Sequence, residues 1–259
     1  MRTIHKTTEF QEVLCGSYEL CVDSFALKFH DTYVFKDITH MFKRGTLTLL
    51  KGKNGVGKTC LLQCLCSIIP NHFDAVIEGI VNLMYTPLSD SGETQSILLY
   101  ENVKESADRL SLKQSERNCN KDIISRYFGY LMQDPDKQLC FPFIDEELFF
   151  GAENLNRNKI EFDKDYEMLI NEFPILKQAE VETSDLSYGQ KKVLLFSAMI
   201  LKDPLVYLLD EPIAGLSKEY RDKFSKLITI LKNKGKIIIM AEHDSFFDKI
   251  ADGHLLLEQ

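Results

Sequence analysis

The run Gly52-Lys53-Asn54-Gly55-Val56-Gly57-Lys58-Thr59 has the residue types and spacing of a phosphate cradle. Glycines let backbone N–H groups wrap phosphate oxygens, Lys58 supplies a positive charge for the outer phosphates, and Thr59 offers a hydroxyl to Mg²⁺. A second pair of groups, Asp210 and Glu211, follows the apolar run Leu205-Val206-Tyr207-Leu208-Leu209. Carboxylates at the C-terminal end of a buried strand lie where ligands gather in open α/β sheets. Asp210 suits the shell of a metal ion, and Glu211 can polarise an attacking water. Such a loop alone does not separate a kinase, a switch protein or a motor.

The flanking patterns supply the elements these groups need. Residues 25–29 and 46–50 read as strands, and Leu61, Leu62, Leu65, Ile68 and Ile69 recur at helical spacing up to Pro70. A strand, a glycine loop and a helix therefore follow in order. Residues 127–132 read as a buried strand. Phe162, Tyr166, Leu169, Ile170 and Phe173 form a helical stripe ending at Pro174, and 190–201 is apolar nearly all round. Ser217 is placed to cap a helix bearing Tyr220, Phe224, Leu227, Ile228 and Leu231, closed by Gly235, before a strand at 236–241. Strands and helices alternate as in a parallel sheet. The charged stretch 89–122, with a short apolar break at 97–100, is expected to be an exposed excursion, and residues 1–21 a peripheral lead-in.

The chain has 259 residues, 44% of them apolar, which fits one large α/β domain. Its net charge of -8 lacks the basic footprint of a nucleic-acid binder. Seven cysteines with no secretory signal before them are expected as reduced cytosolic thiols, and Cys60, Cys64 and Cys66 lack a second ligand pair at zinc-site spacing. The longest apolar stretch, 193–209, is interrupted by Lys202, Asp203 and Pro204, short of the ~20 apolar residues a membrane span requires.

Leu186-Ser187-Tyr188-Gly189-Gln190 precedes the apolar helix, with 20 residues from Gln190 to Asp210. In this place and spacing the segment resembles the signature of ABC-type ATPases, Leu-Ser-Gly-Gly-Gln. The resemblance covers about residues 22–257. It implies a P-loop NTPase core with a mostly parallel sheet, an antiparallel β-subdomain, and a helical subdomain inserted at about 134–200. It implies ATP and Mg²⁺ as cofactors, with metal contacts from Thr59, Gln133 and Asp210, and a γ-phosphate contact from His243. Phe29 resembles the aromatic that stacks on adenine, with Tyr33 as a competing candidate. In such ATPases two cassettes pair head to tail, so Ser187, Gly189 and Gln190 would close over ATP held by a second copy or a related chain. The expected place is the cytoplasmic face of the cell membrane, as a peripheral subunit bound to membrane-spanning partners.

Gln133-Asp134-Pro135-Asp136-Lys137-Gln138-Leu139, Phe150-Gly151-Ala152-Glu153-Asn154-Leu155 and Ile69-Pro70-Asn71-His72 resemble the energy-coupling-factor branch, whose members drive import of vitamins and transition-metal ions. Several positions depart from the pattern. Cys60 replaces a second hydroxyl near the α phosphate, Tyr188 replaces the first signature glycine, Val193 a frequent arginine, and Ser217 a common aspartate. A dimerising helical tail of the kind many members of that branch carry is not expected after residues 255–257. Soluble ABC ATPases of translation or DNA repair are rivals that usually carry two cassettes or a long coiled coil. A regulatory module without turnover is a third reading, against which Glu211 and His243 argue.

Overall fold

The computed structural model describes residues 16–71, 75–86, 95–100, 121–155 and 157–258. Most of the 1–21 lead-in, His72 and the greater part of 89–122 lie outside the described residues. In chain order the elements are β1 (Ser17–Phe29), β2 (Thr32–Lys43), β3 (Leu47–Lys51), α1 (Lys58–Leu65), β4 (Val76–Thr86), β5 (Gln95–Tyr100), α2 (Lys121–Tyr127) and β6 (Phe128–Leu131). Then come α3 (Ile144–Glu153), α4 (Lys159–Glu172), α5 (Tyr188–Lys202), β7 (Val206–Asp210), α6 (Lys218–Asn233), β8 (Ile237–Ala241) and β9 (Gly253–Leu256).

The strands form an antiparallel sheet in the order β2-β1-β4-β5 and a second sheet in the order β6-β7-β8-β3-β9. Every pairing in the second sheet is parallel. All five residues of β7 and of β8 are buried, as continuous apolar strands covered on both faces must be. Successive side chains of β7 point to opposite faces. Val206 and Leu208 join one core with α1 and the antiparallel sheet, while Tyr207 and Leu209 join another with α3, α5 and α6. Phe224, Leu227, Ile228 and Leu231 bury one face of α6, and Phe224 stacks on Phe196 of α5 with centroids 4.5 Å apart.

Three expectations differ from the structure. The apolar break at 97–100 is not part of an exposed excursion: β5 pairs with β4 and Leu99 is buried. Four apolar residues among charged neighbours are too few to show a period, and the pairing that stabilises them is non-local. The boundary expected at 21/22 runs through β1, because Tyr18, Leu20 and Val22 alternate inward from Ser17 onward. The helix after Thr59 ends at Leu65; Ser67 takes a left-handed φ of 66°, and Ile69 is extended because a proline follows it.

Helices α3, α4 and α5 and the short turns between them all fall between β6 and β7. Their far end is fixed by charge. Asp165 on α4 pairs with Arg157 before it and with Lys234 just after α6, while Lys236 holds Asp203 at 2.8 Å at the end of α5. Arg157 also donates to the carbonyl of Leu201 at 3.0 Å. Removing the central carboxylate leaves the buried Arg157 with only the more distant Asp203, at 4.0 Å, as counter-charge. Asp165→Ala is therefore expected to lower unfolding free energy by about 3 kcal/mol, read as a fall in the urea midpoint.

Candidate functional site

The 52–59 loop joins the end of β3 to α1. Gly57 is the N-cap of α1 with φ 102°, a conformation that L-residues rarely adopt, and a Cβ there would lie 2.6 Å from Val34 Cγ1. The helix therefore begins with no capping side chain and no acidic residue in its first turn, leaving its N–H groups for an anion. A Cβ on Gly55 would meet nothing within 4 Å, so the outer side of the loop is open. Lys58 is buried and turned onto the loop, its Nζ donating to the carbonyls of Gly52 at 2.8 Å and Lys53 at 3.0 Å. Burial pulls its pKa below the usual lysine value, opposed by the negative charges of Glu211 and Asp210.

Asp210 ends β7 with 1% of its surface exposed. Thr59 donates its hydroxyl to Asp210 Oδ1 at 3.0 Å, and Tyr130 of β6 donates to Oδ2 at 3.3 Å. Burial pushes this carboxyl above its ordinary pKa; the two hydroxyls pull it down, and neighbouring Glu211 pushes it up again. A buried anion with oxygen neighbours fits a divalent cation shared between Asp210 and Thr59.

Glu211 has φ 46°, a left-handed conformation uncommon for a residue with a side chain. Three contacts hold it there. Its N–H donates to Ala241 at 2.9 Å, its carbonyl accepts from Lys192 Nζ, and Gln133 Nε2 donates to its Oε2 at 2.9 Å. His243 Nε2 stands 3.6 Å from Oε1. Gln133, Glu211 and His243 follow the C-terminal ends of β6, β7 and β8, which are adjacent in the sheet. The left-handed turn after Asp210 thus aims a carboxylate between an amide and an imidazole.

Ser187 caps α5: its Oγ accepts from Gln190 N at 3.3 Å, and Gln190 Oε1 accepts from Ser187 N at 2.8 Å. Gly189 packs toward Leu216. Phe29, at the end of β1, is half-buried against the first core, whereas Tyr33 bonds Glu78 at 3.1 Å and lies under the Lys36 ammonium. Val34 and Phe35 are the residues that approach the loop at Gly57. Cys60 is half-buried, and burial followed by the charge of Asp210 pushes its thiol above the usual pKa.

Two residues of the site were not singled out from sequence. Tyr130 reads only as part of a buried strand. Lys192, in an otherwise apolar helix, is 0% exposed, and a lysine inside such a run is the signal that could have found it.

A phosphate loop after β3 of a parallel sheet, with two carboxylates at the end of β7, one strand removed from it, defines a P-loop nucleotide-binding protein. The family model described as "ABC transporter" matches residues 35–214, and the chain belongs to that family. It is 25% identical over 226 residues to the energy-coupling factor transporter ATP-binding protein EcfA1 of Thermotoga maritima, covering 87% of this chain and 73% of that protein. It is 27% identical over 221 residues to YkoD of Bacillus subtilis, an ATP-binding protein provisionally named for HMP/thiamine import, covering 85% of this chain but 36% of that one. A solved structure of cbiO1 from Clostridium perfringens, described as part of the ABC transporter complex cbiONQ, superposes with a TM-score of 0.65 at 25% identity. That match covers 93% of this chain and 85% of the other.

The Lys58 ammonium is held against the loop by the carbonyls of Gly52 and Lys53. Lys58→Ala is expected to weaken Mg-ATP binding by at least about tenfold, the worth of a charge-assisted hydrogen bond in a desolvated site. Nucleotide titration of the variant beside the parent checks it.

Proposed function

We propose that the chain binds and hydrolyses ATP as the peripheral, cytoplasmic-face subunit of a membrane importer, paired with a second cassette. The observation that carries this reading is the Glu211 carboxylate, held between Gln133 and His243 and one residue from the buried Asp210–Thr59 pair. Lys58 and the loop N–H groups bind the phosphates. Thr59, Asp210 and Gln133 would hold Mg²⁺, which would supply charge to neutralise the phosphates. Glu211 takes a proton from water as the water oxygen bonds to the γ phosphorus; the bond to the β–γ bridging oxygen breaks, releasing ADP and phosphate. His243 donates to a γ-phosphate oxygen. Phe29 packs against adenine, and Cys60 stands near the α phosphate.

Ser187, Gly189 and Gln190 meet the ATP held by the second cassette. Their cap geometry supports this role, because a helix N-terminus with a serine hydroxyl and a glycine leaves room and donors for phosphate oxygens. Among the described residues no helix is long and apolar enough to cross a membrane; the proposed transport runs through membrane-spanning subunits. These dock on the helical subdomain at 134–200, where Phe143 and Phe150 are exposed, the latter by 53%. Import rests on the names of the relatives, and a vitamin or a transition-metal ion is the proposed cargo.

Glu211→Gln is expected to keep ATP binding and to slow hydrolysis at least ~100-fold, the lower range of general-base contributions. Single-turnover hydrolysis at saturating Mg-ATP measures it; a parent-like rate would assign water activation to another group. Membrane-spanning proteins recovered with the tagged chain in mild detergent support the transport reading. Full activity in cell extract with no such partner would favour a soluble ATPase.

A further inference from the structure

Tyr188 stands between Ser187 and Gly189, where the family pattern has glycine, and its ring is turned onto its own chain. The hydroxyl donates to the carbonyl of Gln133 at 2.7 Å. The ring edge fills the space beside Gly215, where a Cβ would lie 2.9 Å from Tyr188 Cδ1. One helical turn later Lys192 places its ammonium 5.2 Å from the ring centroid, and that ammonium also donates to the Glu211 carbonyl.

Two routes therefore run from position 188 to the hydrolytic carboxylate. One passes through the Gln133 peptide to the Gln133 amide, which bonds Glu211 Oε2. The other passes through Lys192 to the carbonyl of Glu211, the residue held in the left-handed conformation. Glycine at 188 makes neither contact. We propose that Tyr188 is a positioning residue that carries engagement of the signature to Gln133 and Glu211 of the same chain, so that nucleotide meeting one face of α5 sets the hydrolytic geometry on the other. The inference rests on the paired-site reading above and adds to it a direct intrachain link between two sites. A link of this kind acts as a coupling free energy, so its loss lowers cooperativity rather than intrinsic affinity.

The test compares the full-length parent with Tyr188→Phe, which keeps the ring and removes only the hydroxyl, and with Tyr188→Gly, which removes both contacts. Measured are ATPase rate against ATP concentration, ATP affinity and melting temperature. For Tyr188→Phe the expected result is a kcat lowered about fivefold, the typical worth of one neutral hydrogen bond, with a Hill coefficient moved toward 1. ATP affinity stays at the parent value, and the melting temperature falls by no more than about 4 °C, the shift expected from losing one hydrogen bond in a chain of this size. Tyr188→Gly should lower cooperativity at least as far. A Tyr188→Phe variant with the parent's kcat and Hill coefficient overturns the proposal, as does one whose ATP affinity and melting temperature fall together with kcat. A parent whose hydrolysis is non-cooperative and independent of protein concentration overturns the paired-site reading and this link with it.

Discussion

A carboxylate buried at the end of the central strand is the constraint around which the site is built. Asp210 is almost wholly removed from water, and desolvation raises its pKa. A group whose folded pKa is raised favours folding only while protonated. The ligand-free protein therefore bears a cost for the charged form that is absent below the unfolded carboxylate pKa and grows as pH rises through the folded one. Thr59 and Tyr130 reduce that cost with two hydroxyl donors, and both are placed by strands adjacent to β7 or by the helix packed against them. The phosphate loop is thereby tied to the sheet at the point where a cation would complete the charge balance.

The next residue stores strain. Glu211 leaves the strand with a positive φ, held by Ala241 on one side and by Lys192 on the other. Its side chain then meets groups from both neighbouring strands, Gln133 after β6 and His243 after β8. Lys192 is itself buried; burial pulls its pKa below the usual value, opposed by the charges of Glu242, Glu211, Asp210 and Asp134. Its place in an apolar helix is explained by these acids and by the carbonyl it holds, rather than by packing alone.

How much of this was legible depended on whether a signal was local. The loop at 52–59, the carboxylates after 205–209 and the Ser217 cap are short patterns with one physical meaning, and the structure places them on the expected strand ends and helix starts. The parallel sheet followed from alternation of apolar runs and helical stripes. The inward alternation of Tyr18, Leu20 and Val22 was present in the sequence, yet the polar residues between them resembled a lead-in. β5 was hidden because its stability comes from pairing with β4. The roles of Lys192 and Tyr130, and the fold-back of the Tyr188 ring onto Gln133, depend on contacts between residues 19 to 80 positions apart, which no local period records.

If Asp210 and Thr59 form the oxygen side of a metal site that acts on a bound nucleotide, Mg²⁺ and ATP must strengthen each other's binding through that carboxylate. The decisive measurement is ATP affinity with and without millimolar Mg²⁺ in the parent and in Asp210→Asn. The parent should bind ATP at least about tenfold more tightly with Mg²⁺, as expected for an ionic contact worth more than ~1.4 kcal/mol, and the variant should show almost none of that gain. An equal gain in the two proteins would contradict the account, placing the metal elsewhere and leaving the buried carboxylate without the role assigned to it.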